Sequence, residues 1–135
     1  MLLSKESLEE LEQSQFKVYL MENVRFHEEE TKPTKEFIDL IPKVDDIADY
    51  FYMVDSFGGV YPQEVKDTIA LVRSKTNVKL GFHGHNNLEM ALANTLTAIE
   101  EGVDIVDATI TGMGRGAGNL KTELLLTVLN AKGKL

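Results

Sequence analysis

Short runs of aliphatic, β-branched and aromatic residues alternate along the chain with stretches whose apolar positions recur at helical spacing. That alternation is the mark of βα units around a parallel sheet. A polar, helix-prone opening over residues 4–15 carries Leu8 and Leu11 as its mid-segment apolar pair and reads as the tail of a helix. The first strand is predicted at Phe16–Met21, followed by a polar loop, Asn23–Lys35, longer than a usual βα connection. Thr34 can cap a helix built on Phe37, Leu40, Ile41, Val44, Ile47 and Ala48, which Pro42 should kink or restart. Tyr50–Asp55 is the second predicted strand, and the helix after it opens near Pro62 and buries Val65, Ile69 and Val72. Val78–His83 is the third strand. Its helix is expected to open at Asn86 and Glu89, with capping-box-like spacing, and to bury Leu88, Leu92, Leu96 and Ile99 before Gly102 ends it. Asp104–Thr109 is the fourth strand. A glycine-rich turn then leads to a last helix with Leu120, Leu124, Leu125 and Val128 on one side. The fold class is therefore α/β, with four parallel βα units.

Four such units make a small open sheet or about half of a TIM (β/α)8 barrel, which normally needs roughly 250 residues; the chain has 135. A half barrel leaves two strand edges unpaired, so a homo-oligomer or pairing with a missing amino-terminal half barrel is expected. The 14 basic and 22 acidic side chains give a net charge of −8, which argues against non-specific binding to nucleic acid or anionic lipid. There is no cysteine, hence no disulfide, thiolate metal site or cysteine nucleophile. No apolar run approaches the roughly 18 residues of a membrane span, and Met1–Glu6 is charged too early for a signal peptide. A cytoplasmic location is the expectation.

Three segments offer chemistry. In Gly81-Phe82-His83-Gly84-His85-Asn86-Asn87, at the carboxyl end of a predicted strand, residues two apart share a face. His83 and His85 then project the same way, with Gly84 expected to remove bulk between them. They are either two nitrogen ligands for a divalent metal or two solvent-facing histidines beside a helix capped by Asn86. Asp55-Ser56 ends another strand before Gly58-Gly59. Asp55 is either an Asx turn or cap, or a group at the same mouth that fixes a histidine tautomer or touches substrate. Asp107 and Thr109 stand in the same position on the fourth strand. Gly112, Gly114, Gly116 and Gly118 alternate ahead of a helix, with Arg115 among them. This loop is either an anion-facing cradle aided by the helix start or a flexible turn with Asn119 as N-cap. It is neither a Walker loop nor a dinucleotide fingerprint. His27 with Glu28-Glu29-Glu30 reads as a solvated loop, while Lys17 and Lys79 lie in strands and can point inward.

Taken together, Val54-Asp55-Ser56-Phe57-Gly58-Gly59, Gly81–Leu88, Ala91-Leu92-Ala93-Asn94-Thr95, Val106–Gly114 and Gly116-Ala117-Gly118-Asn119 resemble the carboxyl-terminal half of the metal-dependent pyruvate aldolase and lyase superfamily. That group includes 4-hydroxy-2-oxovalerate aldolase, 3-hydroxy-3-methylglutaryl-CoA lyase and the isopropylmalate and homocitrate synthases, and the pattern is most similar to the first branch. The resemblance implies a single partial barrel domain over residues 1–135, equivalent to the family's fourth to seventh βα units. It implies that His83 and His85 bind a divalent cation (manganese, magnesium or zinc). Asn119 matches an asparagine that ligates the metal in the lyases and stands further from it elsewhere. Asp55, Ser56, Gly114 and Arg115 would meet a small 2-oxo acid substrate, whose enolate the metal stabilises as a Lewis acid. The activity implied is cleavage of 4-hydroxy-2-oxo acids to pyruvate and an aldehyde, with an acyl-CoA Claisen reaction or a non-catalytic, self-associating half barrel as alternatives. The family's first-strand Arg-Asp-Gly motif, its nearby catalytic histidine and its eighth strand are not found; Asn23-Val24-Arg25 is no substitute. No catalytic residue is assigned, and little or no activity is expected of this chain alone.

Overall fold

The computed structural model describes residues 38–45 and 47–134. The predicted helix tail over 4–15, the strand Phe16–Met21 with Lys17, the loop carrying His27, Thr34 and Phe37 lie outside the described residues. In chain order the structure has a short 3-10 turn (Ile41–Val44), β1 (Tyr50–Asp55), α1 (Pro62–Arg73), β2 (Lys79–Gly84), α2 (Ala91–Glu100), β3 (Ile105–Val106), a second 3-10 turn (Ile110–Gly112) and α3 (Thr122–Ala131). The strands pair in parallel in the order β1-β2-β3. Tyr50 pairs with Lys79 and Asp55 with Gly84, while Gly81 pairs with Ile105 and Phe82 with Val106.

Strand alternation sorts the side chains onto two faces. On one face Met53, Leu80 and Phe82 pack with Val65, Ile69 and Val72 of α1, Ala98 of α2, and Ile41 and Val78. Ala91, Leu120 and Leu125 form a second cluster with Leu92, Leu96, Ile99 and Ala108, and Val106 touches both. The helices thus cover one face of the sheet. The other face carries Tyr50, Tyr52, Val54, Lys79, His83 and Ile105, and its large apolar members are 39–49% exposed. Lys79 lies on this face with its Nζ 5.5 Å from the centre of the Tyr50 ring. No helix among the described residues is long and apolar enough to cross a membrane.

The predicted β1 coincides with the observed strand, and β2 is shifted by one residue. Pro42 lies in the first turn of the 3-10 segment, so the predicted helix over this region is here a short turn that proline restarts. The Glu64 carboxylate accepts the Tyr61 N–H at 2.9 Å and closes the start of α1, beside Pro62. The other helix starts fall later than expected. Residues 86–90 form a turn in which Asn86 Oδ1 accepts the Ala91 N–H at 3.1 Å and Glu89 has φ +57°. Leu88 is therefore exposed rather than buried. Leu120 is buried ahead of α3, in an extended segment whose N–H donates to Gly84 O, while Leu124 faces solvent. Only two residues of the fourth strand enter the ladder; Thr109 bridges Lys121 instead.

Asp104 locks the entry of β3. Its backbone N–H donates to Leu80 O, and its Oδ2 accepts both the Leu80 N–H and the Arg73 guanidinium, each at 2.8 Å. The Leu80 N–H first and Arg73 second hold this carboxyl below the usual carboxylate range. Because the folded-state pKa is lowered, the contribution is present above the unfolded pKa and lost as pH falls through the folded one. Asp104→Asn is expected to lower the melting temperature at neutral pH, and the gap from the wild type should close as pH drops below ~4. Leu80 is fully buried, so Leu80→Ala is expected to cost about 2–5 kcal/mol, read from urea unfolding.

Candidate metal and oxo-acid site

The site lies at the carboxyl ends of the strands, on the face the helices leave bare. His83 and His85 do project the same way, with ring centres 5.0 Å apart and ring planes at 80°. Gly84 plays a different part from the one expected. A Cβ there would stand 3.3 Å from the Phe82 ring and 3.6 Å from Ala91, so its missing side chain makes room on the helix side, not between the imidazoles.

Register places the neighbour of His83. The ladder pairs Gly81 with Ile105 and Phe82 with Val106, and one step further His83 meets Asp107. Nδ1 of His83 lies 2.5 Å from Asp107 Oδ1, the histidine 22% and the aspartate 44% exposed. The Tyr52 hydroxyl stands on the same side of the sheet. Its pKa is raised, first by burial and then by the charges of Asp107 and Tyr50. The sequence offers Asp107 only as a carboxylate near a strand end; the structure brings it to the histidine pair.

Asn119 comes to the same strand tip. Its backbone forms an antiparallel bridge with His85, and the flanking bonds run from Asn86 N–H to Gly118 O at 2.9 Å and from Leu120 N–H to Gly84 O at 3.3 Å. The Asn119 Nδ2 donates to Met113 O at 3.1 Å, whereas its Oδ1 is buried without a hydrogen-bond partner. Gly114 permits this placement, since a Cβ there would lie 2.8 Å from the Asn119 amide. The cap reading of Asn119 fails because α3 starts at Thr122 with Lys121 at its N-cap. For the same reason the glycine loop does not sit on a helix N-terminus, and any anion it meets would see loop amides and the exposed Arg115 instead.

Asp55 takes the turn role. Its buried carboxylate points to the helix side and accepts the N–H groups of Gly58 at 2.7 Å, Gly59 at 3.2 Å and Val60 at 3.3 Å. It shapes the loop that carries half-buried Ser56, and it does not join the histidine face. Gly58 has φ +73° and packs so closely that a Cβ would fall 2.6 Å from Asn87 N; its carbonyl accepts the Leu88 N–H at 3.1 Å.

Asn87 stands in the strand-end motif of the sequence with no role assigned to it. Its Nδ2 donates to Phe57 O and its Oδ1 accepts the Ala117 N–H at 3.3 Å, so one side chain ties together the loops after β1, β2 and β3. A polar residue in a strand–helix turn gives no periodic signal, and its partners are distant in sequence.

The donor set fits a divalent cation in part. Two imidazoles suit zinc, and an amide oxygen buried without a partner suits a cation that takes oxygen ligands, such as manganese or magnesium. Among the described residues no three His, Cys, Asp or Glu side chains converge as a complete set.

A family model described as HMGL-like matches residues 14–134. The chain is 49% identical over 86 residues to the 4-hydroxy-2-oxovalerate aldolase of Bacillus thuringiensis strain Al Hakam, covering 64% of this chain and 25% of that protein. Among solved structures, the N-terminal domain of a Bacteroides vulgatus protein described as an aldolase matches with a TM-score of 0.76 and 53% identity, over 81% of this chain and 36% of that one. An HMG-CoA lyase from Acinetobacter baumannii, solved with coenzyme A and 3-methylmalate, matches with a TM-score of 0.66 and 28% identity, over 75% and 36%. The chain thus spans about a quarter of the length of the curated relatives it matches. Its parallel sheet with helices on one side is part of a TIM barrel. The chain belongs to the HMGL-like family.

Proposed function

We propose that this chain supplies the metal-binding wall of a divalent-metal-dependent aldolase that cleaves 4-hydroxy-2-oxo acids to pyruvate and an aldehyde. The observation that carries the reading is the grouping of the His83 and His85 rings, 5.0 Å apart on the bare face, with the unpartnered Oδ1 of Asn119 at the same strand tip. These three residues would hold manganese, magnesium or zinc. The bound ion would supply Lewis-acid stabilisation of enolate charge on a 2-oxo acid.

The chain's own residues then divide the remaining work. Arg115, exposed on the glycine loop, offers a guanidinium to the substrate carboxylate beside Gly114, whose missing side chain makes room for the Asn119 amide. Ser56 is placed at the rim of the same mouth, and Asp55 shapes the turn that follows it by holding the Gly58, Gly59 and Val60 amides. The Arg-Asp-Gly motif that the family resemblance associates with a third ligand is not among the 135 residues. Turnover is therefore assigned to the chain together with a complementary part of a barrel.

An acyl-CoA Claisen reaction is favoured by one observation, the likeness to an HMG-CoA lyase solved with coenzyme A and 3-methylmalate. The greater identity to the aldolases sets it second.

Thermal melting with added Mn²⁺ is expected to show a rise in midpoint for the wild type, equivalent to about 2.7 kcal/mol at a hundredfold excess over Kd. The His83→Ala/His85→Ala variant should show none. A flat wild-type response together with a stable dimer would favour the self-associating half barrel. In a complete barrel containing this wall and an Arg-Asp-Gly strand, Mn²⁺-dependent pyruvate release from a 4-hydroxy-2-oxo acid is expected, and His85→Ala should reduce it to background. Turnover of an acyl-CoA instead would shift the assignment to the Claisen reaction.

A further inference from the structure

We propose that Asp107 is a positioning residue that holds His83 in the tautomer protonated on Nδ1, so that Nε2 keeps its lone pair for a divalent cation. The inference rests on the metal reading above and deepens it. Its basis is geometric. The carboxylate oxygen stands within hydrogen-bond reach of Nδ1, and both side chains are partly screened from water. A carboxylate only accepts, so a hydrogen bond between the two needs the proton on Nδ1. An imidazole carrying its proton on Nε2 offers that nitrogen no lone pair for a metal, and a ring without an anchor divides its population between the two forms. The carboxylate also makes the opposite nitrogen more basic and fixes the plane of the ring.

The sheet itself delivers this partner. His83 and Asp107 are adjacent on neighbouring strands, one step past the last paired residues, on the face away from the helices. Val106 and Ala108, on either side of Asp107, pack against the apolar clusters, which sets the direction in which the aspartate must point. A direct ligand role for Asp107 is less consistent with the structure. Its Oδ1 is committed to Nδ1, and no three acidic or histidine side chains converge among the described residues.

The test uses the full chain with histidine labelled by ¹⁵N, metal-free, at a fixed alkaline pH where the imidazoles are neutral. Two-bond proton–nitrogen correlations, assigned with His83→Gln, should show His83 Nε2 as the unprotonated nitrogen. In Asp107→Ala and Asp107→Asn that pattern should be lost or reversed. Mn²⁺ titration should then give an affinity about 10–100-fold weaker in both variants. Asp107→Glu should restore much of it, while metal-free melting of Asp107→Asn stays near that of the wild type. If Asp107→Asn keeps both the wild-type tautomer and the wild-type Mn²⁺ affinity, the positioning role is overturned while the metal reading stands. If the wild type binds no Mn²⁺ at all, the metal reading falls and this inference with it.

Discussion

The parallel register between β1, β2 and β3 decides which groups meet at the strand tips. In a strand a slip of one residue turns every side chain to the opposite face. Here it would bring Leu80 and Phe82 out of the core and drive Lys79 and His83 into it. Exposing those two apolar side chains would cost about 3–6 kcal/mol, several times the net worth of a single hydrogen bond at about 1 kcal/mol. The core under α1 and α2 is thus what keeps both imidazoles on the bare face and what brings Asp107 beside the first of them.

Past the strand ends, backbone takes over from side-chain packing. The His85 N–H reaches Asp55 O at 3.3 Å, and the segment around Asn119 adds a bridge on its other side. The Asp55 carboxylate gathers three amides, Gly58 lies against the Asn87 backbone, and the Asn87 side chain clasps the loops before and after it. These contacts give the mouth a defined shape although its residues lie in turns. They also explain why Asn119, three residues ahead of the start of α3, arrives at the same place as the histidines: a short extended segment, not a helix, carries it there.

Much of this was legible in the amino-acid order because it depends on period. Tyr50–Asp55 was readable as a strand from its aromatic and aliphatic content and the glycines after it, and the two-residue spacing of His83 and His85 fixed their common face. Features that depend on distant partners were not legible. Asn86 and Glu89 mimic a helix start, yet the Asn86 and Leu88 amides bond to Gly118 and Gly58 and the helix waits until Ala91. Asp55 and Asp107 looked equivalent at their strand ends. Odd and even positions in the ladder separate them, one turned to the helices and its own loop, the other to His83. The family resemblance added what period alone could not, a reason to join the histidine pair, Asn119 and the glycine loop into one site.

The claim at the centre is that both imidazoles of the β2 tip bind one divalent ion. Pulsed electron paramagnetic resonance of Mn²⁺ on the chain labelled with ¹⁵N-histidine tests it directly. Two directly coordinated histidine nitrogens are predicted for the wild type, and one should remain in His83→Ala. A spectrum of hydrated Mn²⁺ with no histidine coupling, or one unchanged by the substitution, would contradict the account.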